Sequence, residues 1–272
     1  MAETKPKKSL GQHWLYDRQA LEAICNAADV RAGDAVLEVG PGLGTLTRVL
    51  LARGAHVTAV EYDPALAQAL PNHCQEDSPP KMGILENLTV VEGDILRFNL
   101  QQLPERYKVV ANIPYYLTSN LIRVLCESTQ PFSQAALLVQ KEVAERVCAG
   151  QGSMSLLSVS TQFYCEASLG AFVSKDLFSP PPKVDSQVLV LRRREQPLFP
   201  NVDTKLFFRI VRAGFSQKRK TLLNSLSAGL HVSKQHVGKL LGEANIPVNT
   251  RAQSLSLEQW HALYKVLTFM LK

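Results

Sequence analysis

A chain of 272 residues with 46% hydrophobic and 20% charged residues can bury a full core, which excludes wholesale disorder, and it has no apolar run long enough to span a bilayer. The net charge of +6 is unevenly spread: residues 1–191 hold 16 Lys/Arg against 20 Asp/Glu, whereas residues 192–272 hold 14 against 4, so a polyanionic partner is expected on the C-terminal part. The 5 cysteines include no Cys-x-x-Cys pair and the 6 histidines no His-Glu-x-x-His, which excludes a disulfide framework and leaves no metal site to expect.

The basic start, Met1 to Lys8, has neither the apolar core of a secretory signal nor an amphipathic transit pattern, and is expected to be a flexible cytoplasmic arm. Ser9 to Leu15 reads as a loop that packs across something, before a helix over 17–28 with Leu21, Ile24 and Cys25 on one face. Ala35 to Val39 is an apolar strand that meets Gly40-Pro41-Gly42-Leu43-Gly44 and turns sharply into a helix carrying Leu46, Val49 and Leu50. A second strand, His56 to Val60, ends in Glu61, and Asp63-Pro64 opens another helix. Residues 71–87 are polar and proline-bearing, and are expected to form a long, mobile, exposed connection.

Strands follow at 88–91 and 107–111, then a helix over 118–127 and a strand over 135–139. Such alternation of apolar strands and helices predicts an α/β fold, a parallel sheet covered on both faces. Helices are expected at 141–149 and 153–163. Strand-like segments at 166–173 and 186–192, joined through a proline-rich loop, are expected as an antiparallel addition at the sheet edge. That makes seven strands in a mostly parallel, Rossmann-like sheet. After a linker with Pro197 and Pro200 only helical patterns remain. The last has a capping box, Ser256 with Gln259, and a stripe of Leu257, Trp260, Leu263, Tyr264 and Leu267. The expected domains are residues 1–192 and a small all-helical domain over 193–272.

In an open α/β sheet, ligands sit at the carboxyl ends of strands, where Gly40-x-Gly42-x-Gly44, Glu61, Asp94 and Asn112 all fall. A dinucleotide turn would run Gly-x-Gly-x-x-Gly, but Thr45 stands where its third glycine belongs, so the glycines alone select no ligand. Glu61 suits the two ribose hydroxyls of an adenosine cofactor and Asp94 its exocyclic amine, although Asp94 also reads as a turn residue after Gly93. An acidic rim tolerates a cationic cofactor better than a diphosphate, which points to S-adenosylmethionine. Asn112-Ile113-Pro114-Tyr115 supplies what a poorly nucleophilic adenine amine needs: an amide oxygen and a backbone carbonyl to accept its two N–H groups, a proline to hold the backbone, and a ring for stacking.

These stretches, together with Lys8-Ser9-Leu10-Gly11-Gln12-His13-Trp14-Leu15, Val60-Glu61-Tyr62-Asp63, Gly93-Asp94-Ile95-Leu96 and Phe178-Ser179-Pro180-Pro181-Pro182-Lys183-Val184-Asp185-Ser186, resemble the ribosomal RNA adenine N6,N6-dimethyltransferase family along essentially the whole chain. The resemblance implies a class I methyltransferase using S-adenosylmethionine, with His13 and Leu15 bordering the cofactor and Gly40, Gly42, Glu61, Asp94 and Asn112 binding it. It implies that Asn112 and Pro114 position the target amine and that Tyr115 and Phe178 sandwich the flipped adenine; a buried core phenylalanine is the other reading of Phe178. Trp14 stands where phenylalanine is usual. Phe215 to Leu222 and Arg251 to Ser256 resemble the family's helical domain, making Arg209, Arg212, Lys218, Arg219 and Lys220 candidate RNA phosphate contacts, or else a solvated basic face. The implied activity is dimethylation of two adjacent adenosines near the 3′ end of small-subunit rRNA within a pre-ribosomal particle, by a cytoplasmic monomer with no membrane partner. A large-subunit methyltransferase of the antibiotic-resistance type and a ribosome-assembly factor are the alternatives.

Overall fold

The fold is that of a computed structural model, which describes residues 6–7, 10–75 and 84–270, without the side chains of Phe269 and Met270. Most of the basic arm and the middle of the 71–87 connection therefore lie outside the described residues.

In chain order a two-residue strand β1 (Trp14–Leu15) leads into α1 (Arg18–Ala27). Asp17 caps α1 by accepting the Ala20 N–H at 2.8 Å, and Leu21, Ile24 and Cys25 are buried along one stripe. Then come β2 (Ala35–Val39), α2 (Thr45–Ala52), β3 (His56–Glu61), α3 (Pro64–Gln75), β4 (Leu88–Glu92), β5 (Lys108–Asn112), α4 (Thr118–Glu127), β6 (Gln134–Gln140), α5 (Lys141–Val147), α6 (Leu156–Tyr164), β7 (Cys165–Val173), β8 (Phe178–Ser179) and β9 (Ser186–Arg193). The chain ends in α7 (Thr204–Phe215), α8 (Leu222–Leu230), α9 (Lys234–Glu243) and α10 (Leu257–Met270).

Seven strands form one sheet in the order β4-β3-β2-β5-β6-β9-β7. β2 pairs in parallel with both β3 and β5, and the pairings β3 with β4 and β5 with β6 are parallel too. β9 runs antiparallel to β6, from Gln134 opposite Arg192 to Gln140 opposite Ser186, and β7 is the edge strand beyond it. The expected sheet-edge addition is therefore present. Strand order reverses between β2 and β5, so the carboxyl ends of those strands open the crevice in which ligands of such sheets bind.

Two expectations need correction. The 71–87 segment is not one long connection: α3 continues through Pro71 to Gln75, and Ile84–Asn87 forms a 3-10 turn. Proline costs α3 one backbone bond, but Leu70 and Cys74 on either side of it are buried and hold the last turn to the core. The arm is also not free throughout, since Lys7 makes a 2.7 Å ion pair with the buried carboxylate of Asp63.

The chain divides into two compact units, residues 1–144 with 166–193, and residues 145–165 with 194–272. The second unit thus takes in 145–165, which the expected boundary had left with the sheet. The reason is burial: Met154, Val159 and Phe163 belong to the same apolar cluster as Phe207, Phe208 and Trp260. The Phe163 ring lies 5.1 Å from Phe207 and 5.2 Å from Phe208, and the Gly152 and Met154 N–H groups both donate to the Gln253 carbonyl. The capping box on α10 forms as expected, the Gln259 N–H donating to Ser256 Oγ at 3.2 Å and the Ser256 N–H to Gln259 Oε1 at 3.0 Å.

Candidate active site

The glycine turn is built by backbone geometry that only glycine adopts cheaply. Gly40, Gly42 and Gly44 have φ of 66°, 58° and 74°, and Gly44 takes the N-cap position of α2 with no side-chain cap. A Cβ on Gly44 would lie 2.9 Å from Leu70 Cδ1 and 3.3 Å from Cys74 Sγ, so the α3 turn preserved beyond Pro71 also presses on the loop. A Cβ on Gly42 would meet the Trp14 indole at 3.4 Å. The loop and the N-terminal segment thus enclose the same space, which is what the segment before α1 packs across.

That space is a cavity of about 410 Å³ lined from the ends of β2, β3 and β5, the loop after β4, the segment around β1, and Phe178 on β8. His13, Leu15, Gly40, Gly42, Glu61, Asp94, Asn112, Pro114, Tyr115 and Phe178 all line it. The anticipated cofactor and acceptor residues are therefore brought together in one site. The sheet alone would not gather them: β1 and β8 form a separate two-stranded ribbon, pairing Leu15 with Phe178 and Trp14 with Ser179. His13 is held by a 2.7 Å hydrogen bond between its Nδ1 and the Pro180 carbonyl.

Glu61 is 5% exposed. Its two oxygens accept the Gly42 N–H at 3.0 Å and the Asp63 N–H at 2.9 Å, coupling the end of β3 to the glycine turn. Burial pushes its carboxyl up, against the pull of these backbone donors. Asp63 is shifted the other way, held below the usual carboxylate range chiefly by Lys7. Asp94 accepts the Leu96 N–H at 2.9 Å through Oδ1, in the turn that the sequence allowed as its other reading, and it still lines the cavity.

The Asn112 amide donates through Nδ2 to the His13 carbonyl at 3.2 Å, which leaves Oδ1 as an acceptor. Pro114, at φ −54° and ψ 128°, accepts the Leu117 N–H and starts the 3-10 turn that carries Tyr115. The Tyr115 hydroxyl lies 2.9 Å from Ser186 Oγ at the start of β9, so the ring is tethered at its far end, and burial raises its phenol. Phe178 is 5% exposed and shares a buried cluster with Leu15, so it is a core residue that also presents to the cavity.

Sequence reasoning passed over several lining residues. Tyr62 and Tyr116 line the cavity while 61% and 65% exposed, and Glu38 lines it while 1% exposed. Glu38 carried a legible signal, an acid inside an otherwise apolar strand. The tyrosines carried none, because exposure beside a cavity is a tertiary property. Arg209 and Arg212 are exposed on α7, and Lys218, Arg219 and Lys220 are exposed in the turn before α8, all in the second unit.

A glycine turn at the switch point with carboxylates beyond the next two strands, and no Lys or Arg among the described residues lining the cavity, defines a class I S-adenosylmethionine-dependent methyltransferase. The cavity suits that cofactor on its own chemistry: the carboxyls of Glu38, Glu61 and Asp94 line it, and two buried polar atoms beside the loop, Trp14 Nε1 and Glu38 Oε2, have no partner among the described residues. A family model described as ribosomal RNA adenine dimethylase matches residues 3–268. The ribosomal RNA small subunit methyltransferase A of Dehalococcoides mccartyi strain 195 is 40% identical over 269 residues, covering 97% of this chain and 89% of that relative. Its counterpart in Lactococcus lactis is 37% identical over 271 residues, covering 96% and 90%. Among solved structures, a dimethyladenosine transferase from Plasmodium falciparum superposes with a TM-score of 0.76 at 28% identity over 94% of this chain and 98% of that one. The 23S rRNA methyltransferase ErmE gives 0.72 at 30% over 94% and 99%. The chain belongs to the ribosomal RNA adenine dimethylase family.

Proposed function

We propose that the chain dimethylates N6 of two adjacent adenosines near the 3′ end of small-subunit rRNA, acting as a cytoplasmic monomer on a pre-ribosomal particle. The observation that carries the choice of acceptor is the Asn112 amide, whose Nδ2 is engaged by His13 and whose Oδ1 is left to accept. The small-subunit choice is supported by the names of the relatives at 37% and 40% identity. S-adenosylmethionine supplies an electrophilic methyl group when bound.

In this reading Glu61 holds the ribose hydroxyls, Asp94 the adenine amine, and Gly40 and Gly42 let the cofactor approach the backbone at the end of β2. His13 and Leu15 close over it. Asn112 Oδ1 and the Ile113 carbonyl accept the two N–H groups of the target amine, favouring its pyramidal, nucleophilic form and stabilising the charge that develops on nitrogen. Pro114 holds that backbone in place, and Tyr115 and Phe178 flank the extruded base. The alkylated amine is a strong acid and loses its proton to water, so no general base is needed. Arg209, Arg212, Lys218, Arg219 and Lys220 contact phosphates through charge.

The test offers labelled S-adenosylmethionine with unmethylated small and large ribosomal subunits, followed by nucleoside analysis. Label is expected in N6,N6-dimethyladenosine from the small subunit. Label confined to large-subunit RNA would overturn the proposal and favour an activity like that named for ErmE.

A further inference from the structure

Ser186 is a buried hydroxyl that the scheme above leaves unused. It starts β9 opposite Gln140 of β6, is 0% exposed, and does not itself line the cavity. The chain entering it is pinned from two sides. The Lys141 N–H donates to the carbonyl of the preceding residue, Asp185, at 3.0 Å, and the Lys175 N–H donates to Asp185 Oδ1 at 3.0 Å. Ser186 Oγ is therefore a fixed point, and it lies 2.9 Å from the Tyr115 hydroxyl. Tyr115 is placed less firmly, because it opens the 3-10 turn Tyr115–Leu117, is only half-buried, and has its ring on the cavity. Its other ring neighbour, His13, lies 6.1 Å away at 24° and is held by the Pro180 carbonyl of the same loop that ends in Ser186. One loop thus fixes both rings, and for Tyr115 it does so through a single hydroxyl.

The two methyl transfers do not ask equally much of that ring. Each one forms an N–C bond as the S–C bond of the cofactor breaks, and the alkylated nitrogen then loses one proton to water. The first acceptor is an amine with two N–H groups, which Asn112 Oδ1 and the Ile113 carbonyl can both accept. The second acceptor is a methylamine with one N–H left, so one of those two anchors has nothing to hold. Stacking must then carry more of the orientation of the base. We propose that Ser186 is a positioning residue, whose hydroxyl holds the Tyr115 ring in its stacking orientation and matters most for the second methyl transfer. This rests on the acceptor reading above, in which the target adenine stacks on Tyr115.

The test follows the full chain on unmethylated small ribosomal subunits with labelled S-adenosylmethionine, separating N6-methyladenosine from N6,N6-dimethyladenosine over time. Ser186→Ala is expected to slow the second transfer about tenfold and the first only about twofold, so that the monomethyl product accumulates, with cofactor affinity unchanged. Tyr115→Phe keeps the ring and loses the hydroxyl, and should accumulate the same product. The double variant should be no worse than either alone, because each change removes the same tether. Equal slowing of both transfers in Ser186→Ala, or dimethylation at the wild-type rate, would overturn the proposal. So would a double variant whose defect is the product of the two single ones. Should Ser186→Ala fail to fold, Tyr115→Phe decides alone: monomethyl accumulation supports the tether, and normal dimethylation sinks it. A wild-type chain that methylates no adenosine would remove the acceptor reading itself, whereas wild-type dimethylation with an unaltered product ratio in the variants removes only the role of Ser186.

Discussion

Glu61 joins three parts of the site, because its oxygens accept backbone N–H groups from the glycine turn and from the start of α3 while facing the cavity. Glu61→Ala is expected to weaken cofactor binding by roughly 10²-fold and to abolish methylation. Binding to the ribosomal particle should survive, since the basic residues lie in the other unit. Parallel titrations of cofactor and particle check this, and loss of both in a folded variant would mean that catalysis and assembly cannot be separated at this residue. Gly44 is constrained twice, by a φ of 74° and by Leu70 Cδ1 at 2.9 Å from where a Cβ would sit. Gly44→Ala should therefore cost about 1–3 kcal/mol in urea unfolding, and an unchanged midpoint would show that α3 yields easily.

At the scale of elements, α7 separates an apolar face from a basic one. Phe207, Phe208, Ile210 and Val211 are buried, while Arg209 and Arg212, three apart and therefore neighbours on the helix surface, are exposed. The double variant Arg209→Ala/Arg212→Ala is expected to keep cofactor affinity, to weaken RNA binding, and to lower the slope of log affinity against log salt by roughly two. Filter binding across a salt series measures it; an unchanged slope would make these arginines a solvated face. The ribbon of β1 with β8 shows the limit of reading elements from sequence. Two-residue strands have no period to detect, yet this pairing brings Leu15 and Phe178 to the same cavity wall.

At the scale of the molecule, the division into units assigns stability and chemistry to different cores. Phe163, fully buried on α6, packs with Phe207 and Phe208 in the second unit, whereas every residue lining the cofactor cavity belongs to the first. Phe163→Ala should cost about 3–5 kcal/mol, loosening α7 and α10 in hydrogen exchange while cofactor affinity is retained. Loss of cofactor binding at the same time would show that the units do not unfold separately.

The order of strands and helices, the glycine turn, the acids at the strand ends and Asn112-Ile113-Pro114-Tyr115 were all legible in the chain, because strand and helix periods and turn chemistry are local. So was the excess of positive charge after residue 191. Three things were not local. Pro71 stays within α3 because buried neighbours outweigh one lost bond, and residues 145–165 join the second unit because Met154, Val159 and Phe163 find their apolar partners there. Glu38, which lines the cavity, keeps a buried oxygen without a partner among the described residues because residues far apart in the chain close over it. Sequence by itself determined which chemistry the chain carries; burial, which depends on partners far apart in the chain, decided which of its carboxyls line the cavity away from solvent.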